Sequence, residues 1–371
     1  MQLSPFKLER YFAKYEFTAR YLLSSSDCES LTIRDLLAFE PGAHDRFLEH
    51  WLGYTESEGA PGLRGAISQL YPTIQPGDVL VHSGAEEAIF LFMHAVLQAG
   101  DHLIVHAPCY QSLGEVARGI GCEVTFWRAY EPEGWALDLA DLEKNIRSNT
   151  RAIVINLPHN PTGYLMPGDQ FAEVNRLALE NGLVLFSDEV YRESEYDPGD
   201  RLPAACDVND LAVSLGVTSK TYGLPGLRIG WIATHNAEIY TRMALLKDYT
   251  TICNSAPSEF LAELALRHRS ELARRSVDLI LRNLEILDSF FTHHVEKFSW
   301  IRPRAGPIAF PRLLGEDVES FCQELVTRAN VLLVPGNIFE DTENHFRIGF
   351  GRKNLPEAIA RLEEFLLPRD G

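Results

Sequence analysis

From about residue 60 to residue 250 the chain alternates short apolar runs with stretches of helical periodicity. "DVLVH" (78–82) precedes "AEEAIFLFMHAVLQAG", "HLIVH" (102–106) precedes "YQSLGEVARGIG", and "CEVTFW" precedes "LDLADLEKNI". "RAIVIN" (151–156), "LVLFSD" (183–188) and "LAVSLG" (211–216) continue the series, with the helix-like "GDQFAEVNRLALENG" between the first two. This alternation predicts an α/β fold with a mostly parallel central sheet flanked by helices. After residue 254, "SAPSEFLAELALRHRSELARRSVDLILRNLEILDSFFTHH" reads as one long, kinked helix leading away from the sheet. The remainder, 295–371, mixes short strands with helices. The expected organisation is a large domain over 46–252 and a smaller α+β domain. The smaller one is built from the two chain ends, 1–45 and 253–371, and includes the long connecting helix. The N-terminal segment is expected to return and pack on it.

Composition narrows the function. The 371 residues are 46% hydrophobic, which suffices for one big domain and a smaller one. A net charge of −18 argues against broad electrostatic binding of nucleic acid or of an anionic membrane. No apolar run reaches the length of a membrane span, and the start lacks a signal-peptide pattern. The six cysteines are far apart and form no CxxC pair, which argues against a zinc or redox site. They read as reduced thiols in a cytoplasmic protein.

In a parallel sheet, ligands bind beyond the carboxyl ends of the strands. After 78–82 comes Gly84, and a helix begins near Ala85 and Glu86, whose free N–H groups suit a phosphate. After 102–106 comes Tyr110. After 151–156, "NLPHNPTG" frees the side chain of Asn160 in an extended turn. After 183–188 stands Asp188, with Tyr191 three residues on; a carboxylate at the end of a buried strand needs a partner. Then Ser219, Lys220 and Arg228 fall within "SKTYGLPGLRIGW". Singly, each has an ordinary reading, such as a helix cap, a packed tyrosine or a surface lysine. Together they match the needs of pyridoxal 5'-phosphate. That cofactor requires an amine for its aldehyde and a carboxylate for its ring nitrogen. It also needs donors to its phenolic oxygen, an anion cradle and an aromatic face.

These motifs, with "YTESEGAPGLRGAI" (54–67) and "VPGNIFEDTENHFRIGFG" (334–351), resemble the fold-type I pyridoxal-phosphate enzymes of the class I/II aminotransferase family along almost the whole chain. The resemblance implies an aminotransferase moving an amino group between an amino acid and a 2-oxo acid. Lys220 is then similar to the Schiff-base lysine, which is also the acid/base of the reaction. Asp188 matches the partner of the pyridinium nitrogen, and Tyr191 and Asn160 match donors to the phenolic oxygen. Arg228, with Gly84, Ala85, Glu86 and Ser219, matches the phosphate cradle, and Tyr110 the residue stacked on the ring. Arg347 matches the arginine that binds the substrate α-carboxylate, beside Asn160. Tyr54 resembles the tyrosine that reaches the cofactor phosphate of a neighbouring subunit, which implies a homodimer.

Two features depart from the family pattern. Val217 stands where a hydroxyl usually donates to the phosphate, leaving Thr218 or Ser219 to take over. "LLSSSDCESLTIRDLL" replaces a Gly-rich segment that lines the substrate pocket. The run "RYF…SSS" resembles the start of capreomycidine synthase, a family member that cyclises its substrate. A lyase or cyclase using the same residues is therefore the alternative reading.

Overall fold

A computed structural model describes residues 2–367. Its centre is a seven-stranded sheet. The strands lie side by side as Val79–His82, Gly230–Ala233, Ala212–Val217, Val184–Asp188, Thr150–Asn156, His102–Ala107 and Glu123–Arg128. All pairings are parallel except those of Gly230–Ala233, which runs antiparallel to both neighbours. The inner strands are buried along most of their length because helices cover both faces, while the edge strand Glu123–Arg128 is partly exposed. Leu103, Val105, Ala152 and Val154 point into one core with Phe92, Phe186 and Ile232. Ile104, Ile153, Ile155 and Leu185 point into the other with Trp127, Phe171 and Val174. Each such buried aliphatic side chain contributes roughly 1.5–3 kcal/mol relative to exposure.

The expected single helix after residue 254 is two. Ala256–Arg267 and Arg269–His293 meet at His268, whose φ of −108° and ψ of 22° lie outside the helical region. The side chain of His268 turns to Glu271, 3.2 Å away, and packs on Phe39. The break lets each helix serve a different core. Leu261, Leu264 and Leu266 pack with Val79, Val81 and Ala233 of the central sheet. Ile280, Leu284, Leu287 and Phe291 pack with Phe298, Phe346 and Ile348. That second core lies around a three-stranded antiparallel sheet in which Phe346–Gly349 is central, between Ile308–Ala309 and Val334–Pro335.

The N-terminal segment joins both cores. Tyr21–Leu22 pairs in parallel with Val331–Leu332. The helix Lys7–Tyr15 instead lies against the large sheet's side. Leu8 is buried with Ile104 and Trp127, and the ring of Phe6 meets that of Tyr110 at 5.1 Å. No described helix is long and apolar enough to cross a membrane. The six cysteines are all free, five of them buried.

Candidate active site

The carboxyl ends of the parallel strands open on a cavity of about 390 Å³, within the range of small-ligand sites. The register fixes its floor, since Asn156 pairs with Asp188 and Asp188 with Leu215. Ala85, Glu86, Tyr110, Asn160, Asp188, Tyr191, Ser219, Lys220 and Arg228 all line this one space. Residues up to 143 positions apart in sequence, Ala85 and Arg228, therefore meet where the strand pattern said to look.

Arg228 and the start of the helix Ala85–Val96 meet at the cavity wall, where they could hold an anion. Gly84 has φ of +87°, and a Cβ there would lie 2.6 Å from Nη2 of Arg228. Gly230 comes so close that its Cβ would sit 2.9 Å from the amide nitrogen of Ala85. These two glycines let a guanidinium and the free N–H groups of a helix start converge on one point. The two hydroxyls after Val217 differ in their surroundings. The Thr218 hydroxyl donates to the carbonyl of Ile229 at 3.1 Å and is fully buried. Ser219 Oγ is buried, has no protein partner and faces the cavity.

Asp188 is buried, and its Oδ1 accepts the Val190 N–H at 3.2 Å. Burial pushes its carboxyl up to about 7, against the pull of that hydrogen bond and of Lys220. A cation beside it, such as a protonated ring nitrogen, restores the charged form. Lys220 Nζ donates to Ser26 Oγ at 2.8 Å and lies 5.8 Å above the Tyr191 ring. The Tyr191 hydroxyl donates to the Ser26 carbonyl at 3.0 Å. Tyr110 and Val190 are further lining residues, one aromatic and one aliphatic.

Arg347 is fully buried on the strand Phe346–Gly349. Its guanidinium donates to Asn160 Oδ1 at 3.2 Å and to the Ser24 carbonyl at 2.8 Å, while Nε has no partner. Burial pulls its pKa down, because no described carboxylate pairs with it. A buried cation held only by neutral oxygens suits an incoming carboxylate. Tyr54 is placed apart. It is 87% exposed and lines a different, open hollow with Leu52, Thr251, Cys253 and Asn254.

The residues that sequence reasoning missed come mostly from the N-terminal segment. Leu8, Glu9, Phe12, Glu16, Ser25, Ser26 and Asp27 line the same cavity as Asp188 and Lys220. The crowding of aromatics and serines before residue 27 was the available signal. The Glu86 side chain also enters the cavity. It accepts from Ser112 at 3.1 Å, and burial pushes it up to about 7.

An amine, a buried carboxylate, an anion cradle and an aromatic wall at the strand ends of one sheet define a pyridoxal-phosphate enzyme scaffold. The chain belongs to the class I and II aminotransferase family, whose model matches residues 24–362. The family is pyridoxal-phosphate dependent. Capreomycidine synthase of Streptomyces vinaceus is 29% identical over 367 residues, covering 97% of this chain and 93% of that protein. A pyridoxal-phosphate-dependent aminotransferase from Streptococcus suis 89-1591 superposes with a TM-score of 0.93 at 33% identity, over 100% of both chains. The pyridoxal-phosphate-dependent cyclase OrfR superposes with a TM-score of 0.88 at 28% identity, over 99% of this chain and 98% of that one.

Proposed function

We propose that the protein is an aminotransferase, moving an amino group between an amino acid and a 2-oxo acid. The observation that carries this reading is the uncompensated Arg347 guanidinium, joined through Asn160 to a cavity in which Lys220 is the one lysine among the described lining residues. Arg347 lies behind Asn160, which lines the cavity together with Lys220, so a substrate carboxylate on Arg347 would occupy the Asn160 side of that space. Pyridoxal phosphate, held by Arg228, Ser219 and the start of Ala85–Val96, supplies the electron sink for the charge left at that carbon. With that group bound, Lys220 Nζ would take the proton from the α-carbon and hold it for return to the reacting molecule, Asp188 would face the ring nitrogen as a carboxylate, and Tyr191 and Asn160 would sit beside the phenolic oxygen.

A second reading, elimination or cyclisation with the same residues, is favoured by one finding. Capreomycidine synthase matches over 97% of the chain. The two readings part at the fate of the proton. Given an amino donor and no acceptor, the aminotransferase is expected to release one oxo acid per site, lose its yellow colour and stop. Repeated turnover of one amino acid alone, with the yellow form restored, replaces the first reading by the second.

The same proposal includes a homodimer. Leu48, Trp51, Leu52, Tyr54, Tyr249 and Ile252 are between 56% and 91% exposed. Apolar side chains grouped in this way mark an interface. Tyr54 then reaches the cofactor phosphate of a second copy. Light scattering is expected to give twice the mass of 41.8 kDa. Tyr54→Phe is expected to weaken cofactor retention without dissociating the dimer. A monomer with full cofactor affinity contradicts this assignment.

A further inference from the structure

Two glycines of "FRIGFGR" (346–352) have no part in the proposed function. Arg347, Gly349 and Gly351 alternate along the strand Phe346–Gly349 and its extension, so they share a face. Both glycines are pressed by the serine segment. A Cβ on Gly349 would lie 1.8 Å from the carbonyl oxygen of Ser25, and one on Gly351 would lie 2.4 Å from that of Asp27. The Gly349 N–H donates to the Leu23 carbonyl at 2.7 Å, and the Glu29 N–H donates to the Gly351 carbonyl at 2.8 Å. Arg352 closes on Asp27 at 2.8 Å. Residues 23–29 are thus laid along the strand end, and Ser26 is held in the middle of them.

Held there, Ser26 meets two residues of the site at once. Its carbonyl accepts the Tyr191 hydroxyl at 3.0 Å, and its hydroxyl accepts from Lys220 Nζ at 2.8 Å. No other group is hydrogen-bonded to Nζ among the described residues. Asp188 lines the same cavity. Burial raises the Asp188 carboxyl, and the charge of Lys220 is among the influences opposing that rise. Yet the amine and the carboxylate form no ion pair among the described residues. The amine is turned to a neutral oxygen instead.

We propose that Ser26 is a positioning residue for Lys220, holding its free amine away from Asp188. This rests on the reading of Lys220 as the amine that bonds the cofactor and moves the proton. An ion pair with Asp188 would favour the ammonium form, which is neither a nucleophile nor a base. It would also occupy the carboxylate assigned to the ring nitrogen. A serine hydroxyl avoids both effects. It accepts from an ammonium and donates to a neutral amine, so it serves either protonation state from one position. The serine run that replaces the Gly-rich lining thereby supplies a side-chain function that glycine lacks.

The test follows the amine itself. The full chain without cofactor is treated with a trace of acetic anhydride, and acetylation of Lys220 is read by peptide mass against that of exposed Lys144. Ser26→Ala keeps the carbonyl that holds Tyr191. It is expected to lower the Lys220 to Lys144 ratio at least about tenfold, the scale of one hydrogen bond to a charged group. In an Asp188→Asn background, where no carboxylate is left to draw the amine, adding Ser26→Ala is expected to change the ratio by less than about twofold. A merely structural role for Ser26 is not relieved by a change at Asp188. An unchanged ratio in Ser26→Ala, or a fall that persists in the Asp188→Asn background, overturns the proposal. A wild-type protein that takes up no pyridoxal phosphate overturns the proposed function instead, and the acetylation ratios still decide the role of Ser26.

Discussion

Lys220→Ala is expected to retain pyridoxal phosphate while losing turnover. The two properties separate because different atoms carry them. The proposed phosphate cradle is Arg228, Ser219 Oγ and the start of Ala85–Val96, and none of these is hydrogen-bonded to the lysine. Gly84 and Gly230 fix the cradle through backbone approach alone. Nζ of Lys220, by contrast, is the amine that the proposed function assigns to the aldehyde and to the α-proton. Loss of a general base costs about 10²–10⁴-fold in rate, and loss of the covalent attachment adds to it. Lys220→Arg keeps a cation beside Asp188 and Ser26 but cannot release a proton near neutral pH, so it is expected to be equally inactive. Two measurements check the pair. Borohydride treatment of the wild type should fix the cofactor on the peptide containing Lys220. Ultrafiltration should show Lys220→Ala still holding cofactor without that link. A wild-type protein that stays colourless with added pyridoxal phosphate removes the basis of the site assignment.

The floor of this site was legible in the sequence residue by residue, and the roof only as an unusual segment, for a physical reason. Asp188, Asn160, Tyr110 and Lys220 each follow an apolar run, and parallel strands bring the ends of such runs to one edge whatever their order in the sheet. Their convergence follows from topology. The roof depends on a long-range return of the chain, in which Ser26 meets Lys220 across 194 positions. No local pattern encodes that contact. The sequence shows that Lys7–Tyr15 is amphipathic. Which face meets the cavity depends on the docking of Leu8 and Phe6 against Ile104, Trp127 and Tyr110. The antiparallel setting of Gly230–Ala233 was equally hidden, since an apolar strand carries no mark of its direction. The break at His268 has neither proline nor glycine to announce it. It arises because Ala256–Arg267 and Arg269–His293 are drawn to different cores.

Arg347→Ala is expected to cut substrate affinity by about tenfold or more while leaving the cofactor bound. The estimate follows from one lost hydrogen bond to a charged group, roughly 1.5–3 kcal/mol. The guanidinium sits on a different strand system from the phosphate cradle, at the end of Val334–Pro335 and Phe346–Gly349. Its fixed partners are Asn160 Oδ1 and the Ser24 carbonyl, both neutral. Removing the arginine frees those two oxygens without creating an unpaired charge, so the fold is expected to survive. Arg347→Lys tests geometry apart from charge. An ammonium keeps the cation but loses the planar fork that matches a carboxylate, and is expected to restore only part of the affinity. Arg228→Ala is the complementary change. Its side chain lies against Gly84 at the cradle, so its loss should release the cofactor and leave the substrate anchor intact. Cofactor retention by equilibrium dialysis and amino-acid affinity by calorimetry, measured on all three variants, should therefore move separately. Equal loss of cofactor from Arg228→Ala and Arg347→Ala would show that both arginines hold one anion. The α-carboxylate would then need another partner.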